Sequence, residues 1–466
     1  NSRVCKLKKN EVEKQVNPLY YVPELLEIEK KVLTKEPKKL SDYVVGISSW
    51  ATPKTTESEK YYAEKENGIP FLRVQNLSPT GILEFDDCKY INEETHNGML
   101  KRSQVKEGDL LVKITGVGRM AVASVAPVGF EGNINQHVCV IRTGNKEISE
   151  TLAAFLNTDI GEKLASRRAT GGTRPALDYP ALLSIPIIEE KRILEITSKV
   201  VEQKKQNEAE AEILLSSIDD YLLNELGIKL PEPPENTLKN RIFTTSVNEL
   251  TGNRYDPFYH QTYFNELLTS LENSKYRKSK LGLHISEITY GASFNNEYVE
   301  NGVPLLRIKD LKRNEICVDE VVYLPESARN LLGNCFVKHN DFLISRSGTI
   351  GIVAIVPENI DGFAFGSFMI KFTLAENSGI VKDFLSYYLN SSLMIKLVER
   401  NKIGAVQGNI TIPTIRNFPL VVPTPNEQQK IADHITGIRR QAQQLKDKTN
   451  KALKKASEEI EKILLS

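Results

Sequence analysis

Short apolar runs, many of them β-branched, recur along the chain between clusters of Gly, Pro and Asn. Two examples are Val112–Thr115 and Val138–Ile141. Runs of this length bounded by turn residues predict β-strands joined by loops. A helical pattern then follows in two places, and it predicts helices from Ser149 to about Arg168 and from Ser378 to about Arg400.

Two much longer periodic segments lie beyond those helices. Residues 189–226 contain no Gly or Pro, and Pro186 and Gly227 flank them as start and stop signals. Apolar residues recur in this segment at steps of three and four, at Ile193, Ile196, Val200, Leu214, Ile218 and Leu222. The second segment keeps the pattern for about four heptads, at Ile431, Ile435, Ile438, Ala442, Leu445, Thr449, Ala452 and Ala456. We therefore predict two long helices that pair with each other; the alternative is that each packs on its own domain.

The whole order of segments occurs twice. Residues 67–74 reappear at 301–308, so that Asn-Gly-Ile-Pro-Phe-Leu-Arg-Val becomes Asn-Gly-Val-Pro-Leu-Leu-Arg-Ile. Further repeated pairs are Gly108–Val112 with Asn340–Ile344, and Leu156–Thr158 with Leu389–Ser391. A period of about 230 residues is far longer than a solenoid repeat and indicates the duplication of a domain.

A chain of 466 residues is too long for one core. The duplication predicts an α/β fold of two similar domains, and the Pro-rich stretch Leu230–Asn236 reads as a stiff linker. The predicted boundaries are a first domain at 1–188, a first long helix at 189–228, a linker at 229–240, a second domain at 241–425 and a second long helix at 426–466.

Composition adds little to this picture. The formal net charge is +1, so the class of partner stays open. The five cysteines are widely spaced, without a C-x-x-C pair, which indicates a reducing compartment and neither a disulfide framework nor a zinc site. Without a signal-like start or an apolar run of membrane length, we expect a cytoplasmic protein that does not enter a membrane.

Motifs of catalysis are scarce. The sequence has no G-x-x-x-x-G-K-[ST] phosphate loop, no H-E-x-x-H and no G-x-S-x-G elbow, and its six histidines show no metal spacing. Gly116–Gly118 and Gly348–Gly351 are read as tight turns, because β-branched residues rather than a helix surround them. We predict no catalytic residue, no metal site and no cofactor.

One tetrapeptide needs separate weighing. Asn17–Tyr20 and Asp256–Tyr259 resemble the Asn/Asp-Pro-Pro-Tyr/Phe motif of amino-group DNA methyltransferases, in which the aromatic ring stacks on a flipped base. Both copies lack the second Pro, and no Gly-rich methyl-donor loop accompanies them. A structural turn that packs Tyr20 or Tyr259 against its domain is the favoured interpretation.

Polar and cationic residues in the predicted turns are the candidates for recognition. Arg, Lys, Asn, Gln, Ser and Thr are the residue types that contact phosphates and base edges, although some turn residues are simply solvated. The candidates in the first repeat are Arg73, Gln75, Asn76, Lys113, Thr115, Arg119, Gln136, His137, Arg167, Arg168, Thr173 and Arg174. Those in the second repeat are Arg307, Lys309, Arg346, Ser347, Thr349, Ser367, Arg400, Lys402, Gln407 and Asn409.

Matched loop positions differ in chemistry, whereas apolar framework positions agree. The differing pairs are Lys113 with Ser345, Gln136 with Gly366, His137 with Ser367, and Arg174 with Gln407. A shared scaffold with different loop side chains is what two different recognition sequences would require.

Taken together, these motifs resemble the specificity subunit of Type I restriction–modification systems. The signatures are Gly68–Leu77 with its second copy Gly302–Leu311, the Gly108–Val112 strand with Asn340–Gly351, and the helix start Pro423–Ile431. The resemblance covers essentially the whole chain. One departure is that residues 187–193 lack the Pro-rich helix start of the second repeat.

The resemblance implies two target-recognition domains and two antiparallel helices that form a coiled coil. Each domain would read one half of a split double-stranded DNA sequence, and the helices would set the gap between the halves. It also implies docking of two adenine-N6 DNA methyltransferase subunits and of restriction (motor) subunits, which bind the methyl donor and ATP. The chain itself would have no catalytic activity.

Two alternatives stay open at this point. The chain would also suit the DNA-recognition portion of a fused restriction–methylation enzyme whose catalytic domains lie outside this sequence. A coiled-coil adaptor that binds protein rather than DNA is the other alternative.

Overall fold

The computed structural model describes residues 18–466 apart from Asp86, Asn236, 251–253, 294–297, Asp319 and 404–407. The chain divides into two compact units. Unit 1 runs to Ala209 and also includes Leu445–Ser466, and unit 2 is Glu210–Gln444. This division passes through the two long helices, whereas the predicted boundaries set those helices apart as separate segments.

Unit 1 alternates short strands with helices. Its helices are α1 (Pro23–Leu33), α2 (Ser58–Tyr61), α3 (Glu93–Asn97), α4 (Lys146–Leu156), α5 (Asp159–Arg168), α6 (Tyr179–Leu183) and the first part of α7 (Lys191–Leu226). Its strands are β1 (Lys38–Lys39), β2 (Gly46–Ser48), β3 (Ile69–Leu72), β4 (Lys89–Ile91), β5 (Gln104–Lys106), β6 (Leu110–Lys113), β7 (Ala123–Val125), β8 (Glu131–Ile134), β9 (Val138–Arg142) and β10 (Pro186–Ile187).

Unit 2 has a similar succession of elements. Its helices after α7 are α8 (Leu238–Arg241), α9 (Val247–Leu250), α10 (Thr262–Glu272), α11 (Arg329–Leu332), α12 (Lys382–Leu389), α13 (Ser392–Asn401), α14 (Ile412–Arg416) and α15 (Pro425–Leu465), whose last part belongs to unit 1. Its strands are β11 (Arg277–Lys280), β12 (Ile285–Tyr290), β13 (Val303–Leu306), β14 (Leu311–Lys312), β15 (Glu315–Ile316), β16 (Val322–Leu324), β17 (Phe342–Ser345), β18 (Val353–Ile355), β19 (Ala364–Phe365), β20 (Met369–Leu374) and β21 (Pro419–Val422).

The sheets of the two units follow the same strand order. An antiparallel sheet has the order β2-β9-β6-β7 in unit 1 and β12-β20-β17-β18 in unit 2. A second sheet has the order β4-β3-β8-β5 in unit 1 and β16-β13-β19 in unit 2, and in it β3 pairs parallel with β8 and β13 with β19. These mixed sheets with packed helices confirm the α/β class.

The central strand of the antiparallel sheet is buried on both faces. Leu110 and Val112 of β6 pack into a core with α1, α4 and α5, while Leu111 packs into a second cluster toward the other sheet. In unit 2, Phe342 and Ile344 of β17 face one core and Leu343 faces another. Because successive side chains of a strand alternate between faces, a strand covered on both sides reads as a continuous apolar run.

The predicted helix over 149–168 is wrong in one respect, because the structure has two helices there. Thr158 ends α4 and begins α5 by accepting a hydrogen bond from Gly161 N at 2.9 Å. Ser391 caps α13 in the same way, by accepting a bond from Met394 N at 3.4 Å. The side-chain oxygen accepts a hydrogen bond from a first-turn backbone N–H that has no acceptor within the helix, and it therefore favours a helix start at this point. The predicted single helix is divided into two for this reason.

The asparagine before each cap ties the helices to the sheet. Asn157 accepts a hydrogen bond from Ala123 N at 3.0 Å and donates one to Ala123 O at 2.7 Å. Asn390 makes the same pair of bonds with Val353, at 3.1 and 2.8 Å. The repeated Leu-Asn-Thr/Ser motif therefore has a structural function in both units.

Other repeated motifs also form turns. Gly108 and Asn340 have φ values of 78° and 72°, in the left-handed region that Gly and Asn tolerate best. The next residue, Asp109 or Asp341, accepts a hydrogen bond from the backbone N of Lys106 or Lys338, at 2.9 and 2.8 Å. These turns lead directly into β6 and β17.

The two long helices begin and end within two residues of the predicted bounds. At the start of α15, Glu427 accepts hydrogen bonds from the backbone N and the hydroxyl of Thr424, at 3.0 and 2.7 Å, which is a capping-box arrangement. Gln428 is fully buried and bonds Val381 N, Gly379 O and Pro423 O. The Pro-rich signature is thus explained by the local fold.

Within unit 1, early residues of α7 lie beside late residues of α15. Ile193 shares a core with Ile460 and Leu464, and the Asn207 amide donates to the Thr449 hydroxyl at 2.9 Å. Both partners of this polar pair are only 6% exposed. Within unit 2, the ring of Tyr221 lies 4.1 Å from that of His434.

Of the helices in the described ranges, none has the combination of length and hydrophobicity that crossing a bilayer requires.

We expect Asn390→Ala to destabilise unit 2 by about 1–3 kcal/mol, because the backbone of Val353 loses both of its side-chain partners. Asn265→Ala is the matched control, since Asn265 is exposed on α10. Equilibrium urea unfolding of the full chain measures both variants. Equal midpoints for the two variants would contradict the function assigned to Asn390.

A second prediction concerns the polar pair in the helix seam. Thr449→Val leaves the buried Asn207 amide without its acceptor and should cost about 1–3 kcal/mol. The double variant Asn207→Leu with Thr449→Val removes both polar groups and should recover most of that loss. Thermal unfolding followed by circular dichroism tests this, and a double variant less stable than Thr449→Val would refute it.

Candidate nucleic-acid interface

Four separate segments of unit 1 meet beyond the ends of β2, β6 and β8. We call residues 49–53, 114–118, 135–137 and 170–177 loop face 1. Ile114 N donates to His137 O at 2.9 Å, and Ile114 O accepts from Leu177 N at 2.8 Å. Gly116 N donates to Pro175 O at 3.0 Å. Backbone bonds alone thus join the turn after β6 to the loop before β9 and to the hairpin after α5.

The segment after β2 joins the same face through its side chains. The Thr52 hydroxyl is hydrogen-bonded to the Gln136 side-chain amide, and the Ser49 hydroxyl lies 2.6 Å from the Tyr179 hydroxyl at the start of α6. Trp50 is 39% exposed, and the Arg102 guanidinium lies 4.8 Å from the centre of its ring.

Unit 2 has the same construction. We call residues 290–293, 346–351, 366–368, 402–403 and 408–412 loop face 2. Arg346 N donates to Phe368 O at 2.9 Å, and Arg346 O accepts from Ile410 N at 3.0 Å. Ser367 N donates to Ala292 O at 2.9 Å, which brings in the segment after β12.

The strand register corrects two of the pairs drawn from the sequence. Lys113 pairs with Val138 in unit 1, and Ser345 pairs with Met369 in unit 2. Counting back from these strands, His137 corresponds to Phe368 rather than Ser367, and Gln136 corresponds to Ser367 rather than Gly366. The sequence offset misplaced them because it changes inside the loops.

Loop face 1 brings together five of the predicted residues. Gln136, Thr173 and Arg174 are exposed, and Thr115 and His137 are half-buried. Burial and the nearby Arg174 lower the pKa of His137, which favours the neutral imidazole at neutral pH. A neutral imidazole offers one donor and one acceptor. This surface therefore presents a cation beside amide, hydroxyl and imidazole groups.

Lys113 lies beneath that face and does not project from it. Lys113 is 4% exposed, and its Nζ donates to Val117 O at 2.7 Å. Burial lowers the pKa of Lys113. We therefore correct its predicted contact with DNA to a supporting function, in which it holds the Gly116–Gly118 turn.

Loop face 2 is centred on Arg346. The Arg346 Nε donates to Asn409 Oδ1 at 3.1 Å, and its guanidinium lies 4.6 Å from the centre of the Tyr290 ring. Thr349 and Lys402 are exposed, and Ser347 and Ser367 are half-buried around it. Gln407, also predicted, lies outside the described residues.

Arg73 and Arg307 each make an ion pair and hydrogen bonds with nearby residues of their own unit. The Arg73 Nη2 lies 3.0 Å from Asp87 Oδ2, and Gln75 Nε2 donates to the same oxygen at 3.0 Å. Asn76 is buried and accepts from Arg73 N.

The second copy of this turn repeats the arrangement. Arg307 contacts the Asp310 carboxylate and donates to Glu320 O at 2.9 Å. Lys309 is exposed on the same turn.

Three further predicted cations form ion pairs within unit 1. Arg167 and Arg168 are 3% and 6% exposed, and both pair with the Glu29 carboxylate. Arg119 is bonded to Asp159 Oδ1 at 2.9 Å, and this bond lowers the pKa of Asp159. A buried cation with an ion-pair partner cannot turn to a ligand without a large desolvation cost. We therefore correct the predictions for Arg167 and Arg168 to internal functions, whereas Arg119, whose side chain is 30% exposed, stays a candidate.

Arg167 and Arg400 also explain the methyltransferase-like tetrapeptides. The Arg167 guanidinium lies 3.7 Å from the centre of the Tyr20 ring, and that of Arg400 lies 4.1 Å from the Tyr259 ring. Each arginine donates to the carbonyl of the same tyrosine, at 2.7 and 3.1 Å. Asp256 caps this turn by accepting from Tyr259 N at 3.0 Å. The tyrosines are packed against their units, as the favoured interpretation expected; Asn17 lies outside the described residues.

Sequence reasoning missed the exposed aromatic side chains of the two faces. Trp50 lies on loop face 1, and Tyr290 and Phe368, which are 36% and 49% exposed, lie on loop face 2. Large rings in the turns directly after or before strands were the available signal. Within the described ranges, no group of three or more His, Cys, Asp and Glu side chains is placed to hold a metal ion.

Known proteins resemble this chain over most of its length. The family model described as the Type I restriction modification DNA specificity domain matches residues 273–455. The MjaVIII specificity subunit of Methanocaldococcus jannaschii, a Type I restriction enzyme subunit, is 23% identical over 371 residues, which are 78% of this chain and 79% of the relative. The EcoBI specificity subunit of Escherichia coli is 20% identical over 429 residues, 91% of this chain and 83% of the relative.

Solved structures of S subunits are similar to this chain at low sequence identity. The S subunit of a Type I restriction–modification system from M. genitalium is 12% identical with a TM-score of 0.39, covering 92% of this chain and 94% of that one. The HsdS subunit from Thermoanaerobacter tengcongensis is 14% identical with a TM-score of 0.32, covering 92% and 96%. Residues 273–455 thus match the Type I restriction modification DNA specificity domain, and the chain is similar over most of its length to specificity subunits of Type I restriction enzymes.

Proposed function

We propose that each unit reads one half of a bipartite double-stranded DNA target, unit 1 through loop face 1 and unit 2 through loop face 2. The observation that carries the proposal is that two faces with the same backbone construction display different side chains. In unit 1 the first residue after the central strand is the buried Ile114, which is hydrogen-bonded to His137. In unit 2 this residue is Arg346, which is hydrogen-bonded to Phe368.

The side chains of both faces suit the major groove. Gln136, His137, Thr173 and Arg174 on one face, and Arg346, Ser347, Ser367 and Asn409 on the other, include donors and acceptors for base edges. Lys402 and Arg174 are exposed cations of the kind that contacts phosphates. Phosphate contacts give affinity for any sequence, and base-edge contacts select one.

The chain acts as the specificity component and leaves catalysis to other subunits of the Type I system. We propose two adenine-N6 methyltransferase subunits and the restriction subunits as its partners. The long helices α7 and α15 would form an antiparallel coiled coil that sets the gap between half-sites. The apolar seam and the contacts of Ile193 with Ile460 and of Tyr221 with His434 support this pairing.

A substitution of Arg346 tests which unit reads which half of the target. Arg346→Ala should weaken selection in the second half of the target by roughly 5- to 150-fold, because one bidentate base contact contributes ~1–3 kcal/mol. Selection in the first half should stay unchanged. Methylome sequencing of cells that carry the variant with its methyltransferase shows which positions relax.

Arg174→Ala in unit 1 is the reciprocal variant and should relax the first half only. Relaxation of the first half by Arg346→Ala would refute the assignment of the units. Methylation without any split motif in wild-type cells would refute DNA reading altogether and favour the protein-binding adaptor.

A further prediction uses the single tryptophan of the chain, Trp50, which lies on loop face 1. A chain labelled with fluorotryptophan and assembled with unlabelled partners gives one fluorine NMR resonance, from Trp50. This resonance should shift when a duplex that contains the first half-site is added. A duplex with only the second half-site should leave it in place, and an equal shift with both duplexes would argue against separate reading faces.

A further inference from the structure

We propose that Arg346 reads a guanine in the second half of the target. The inference rests on the proposed function and goes further, because it names the base and the atoms that contact it. Arg346 is the first residue after β17, and hydrogen bonds fix both its backbone N and its backbone O. The position of its backbone in loop face 2 is therefore set by the fold and not by its side chain.

The guanidinium of Arg346 is held in one orientation by two neighbours. The Asn409 Oδ1 accepts a hydrogen bond from Nε at 3.1 Å, and the Tyr290 ring lies 4.6 Å from the guanidinium carbon. Tyr290 is itself anchored, since its hydroxyl accepts from Ile412 N at 3.1 Å. A planar cation restrained through Nε and through one face keeps its two Nη atoms for another partner.

Arg346 differs in its partners from Arg254 and Arg307, two other arginines of unit 2. Arg254 pairs with Asp256 at 2.7 Å, and Arg307 pairs with Asp310 at 3.4 Å. For Arg346 no carboxylate lies within ion-pair distance among the residues that the structure describes, and there neither Nη atom has a hydrogen-bond partner. Within the described ranges Arg346 is therefore a half-buried, oriented cation with no carboxylate partner, and this arrangement suits an acceptor supplied by a ligand.

Guanine fits this arrangement better than the other bases. Its N7 and O6 are two adjacent acceptors in the major groove, and they match the two-pronged donor edge of an arginine. Adenine offers a donor beside N7 and would oppose the second Nη. A phosphate would also accept two hydrogen bonds, but it does so for every sequence. The two partners are therefore distinguished by their dependence on the base.

Unit 1 has no arginine at the position that corresponds to Arg346. The corresponding residue is Ile114, which is 7% exposed, and its backbone makes the same two bonds, to His137 O and from Leu177 N. The guanine contact through this position is consequently expected in the second half alone. The two units thus differ in the side chain at this position, Arg346 or Ile114, whereas the backbone hydrogen bonds of the turn are the same.

The experiment uses the full chain assembled with its methyltransferase subunits. Selection from a random duplex library first defines the two half-sites. Each guanine of the second half is then replaced in turn by 7-deazaguanine, which lacks the N7 acceptor, and affinity is measured by gel shift. We expect one guanine whose replacement weakens wild-type binding by roughly 5- to 150-fold.

Three variants make the result specific to Arg346. Arg346→Ala should bind the unmodified site with a similar loss, and the 7-deazaguanine should cost it nothing further. Arg346→Lys keeps the charge without the fork and should remain sensitive to salt while losing most of the base discrimination. Arg313→Ala, an exposed arginine on the β14–β15 turn, should leave the discrimination intact. Thermal unfolding of each variant verifies that unit 2 is folded.

The failures of the two hypotheses are distinguishable. If Arg346→Ala weakens all duplexes equally, Arg346 contacts a phosphate and the guanine assignment is wrong, although DNA reading stands. A second half-site without guanine, or an Arg346→Ala variant that keeps its sensitivity to every 7-deazaguanine, overturns it as well. If the library yields no split sequence at all, the proposed function fails and the inference fails with it.

Discussion

Loop faces 1 and 2 depend on a few backbone hydrogen bonds that join the turn after the central strand to a distant hairpin. In unit 1 these bonds connect Ile114 with His137 and Leu177, and in unit 2 they connect Arg346 with Phe368 and Ile410. Because the bonds use main-chain atoms alone, they constrain the path of the loop without constraining its side chains. The same loop geometry therefore carries a buried isoleucine in one unit and an oriented arginine in the other. A scaffold of this kind permits a change of recognition chemistry without a change of fold.

The residues that the two repeats share are explained by folding. Asn157 and Asn390 close the edge of a sheet strand, and Asp109 and Asp341 close the turn before the central strand. Gly68 is required because a Cβ there would lie 2.5 Å from that of Tyr90. Identity between the repeats consequently marks turns, caps and close approaches, and divergence marks the surface on which recognition is proposed.

The sequence predicted what local chemistry determines. The β-branched runs became the central strands β6 and β9, and the apolar seam became helices with bounds close to those expected. It did not predict that Arg167 and Arg168 are internal, because their partner Glu29 lies far away in sequence and only the fold brings it near. Lys113 was misjudged for a different reason, because its acceptor is a nearby backbone carbonyl, Val117 O in the glycine turn, which residue type does not reveal. Side-chain type gave the chemistry of the candidates, but burial decided which of them reach the surface.

The sequence pattern placed Thr449 in the seam but did not predict its partner, Asn207, because Asn207 is polar and is not one of the apolar steps of the first helix. An apolar seam tolerates a slip by one heptad, because leucines and isoleucines are satisfied in several registers. A buried amide is satisfied only where its acceptor lies opposite, so the pair favours one register over the slipped ones. The proposed bipartite reading would require such uniqueness, because a slip in the helices would change the proposed gap between half-sites. The polar pair of α7 and α15 in unit 1 thus favours the packing in which Asn207 lies opposite Thr449.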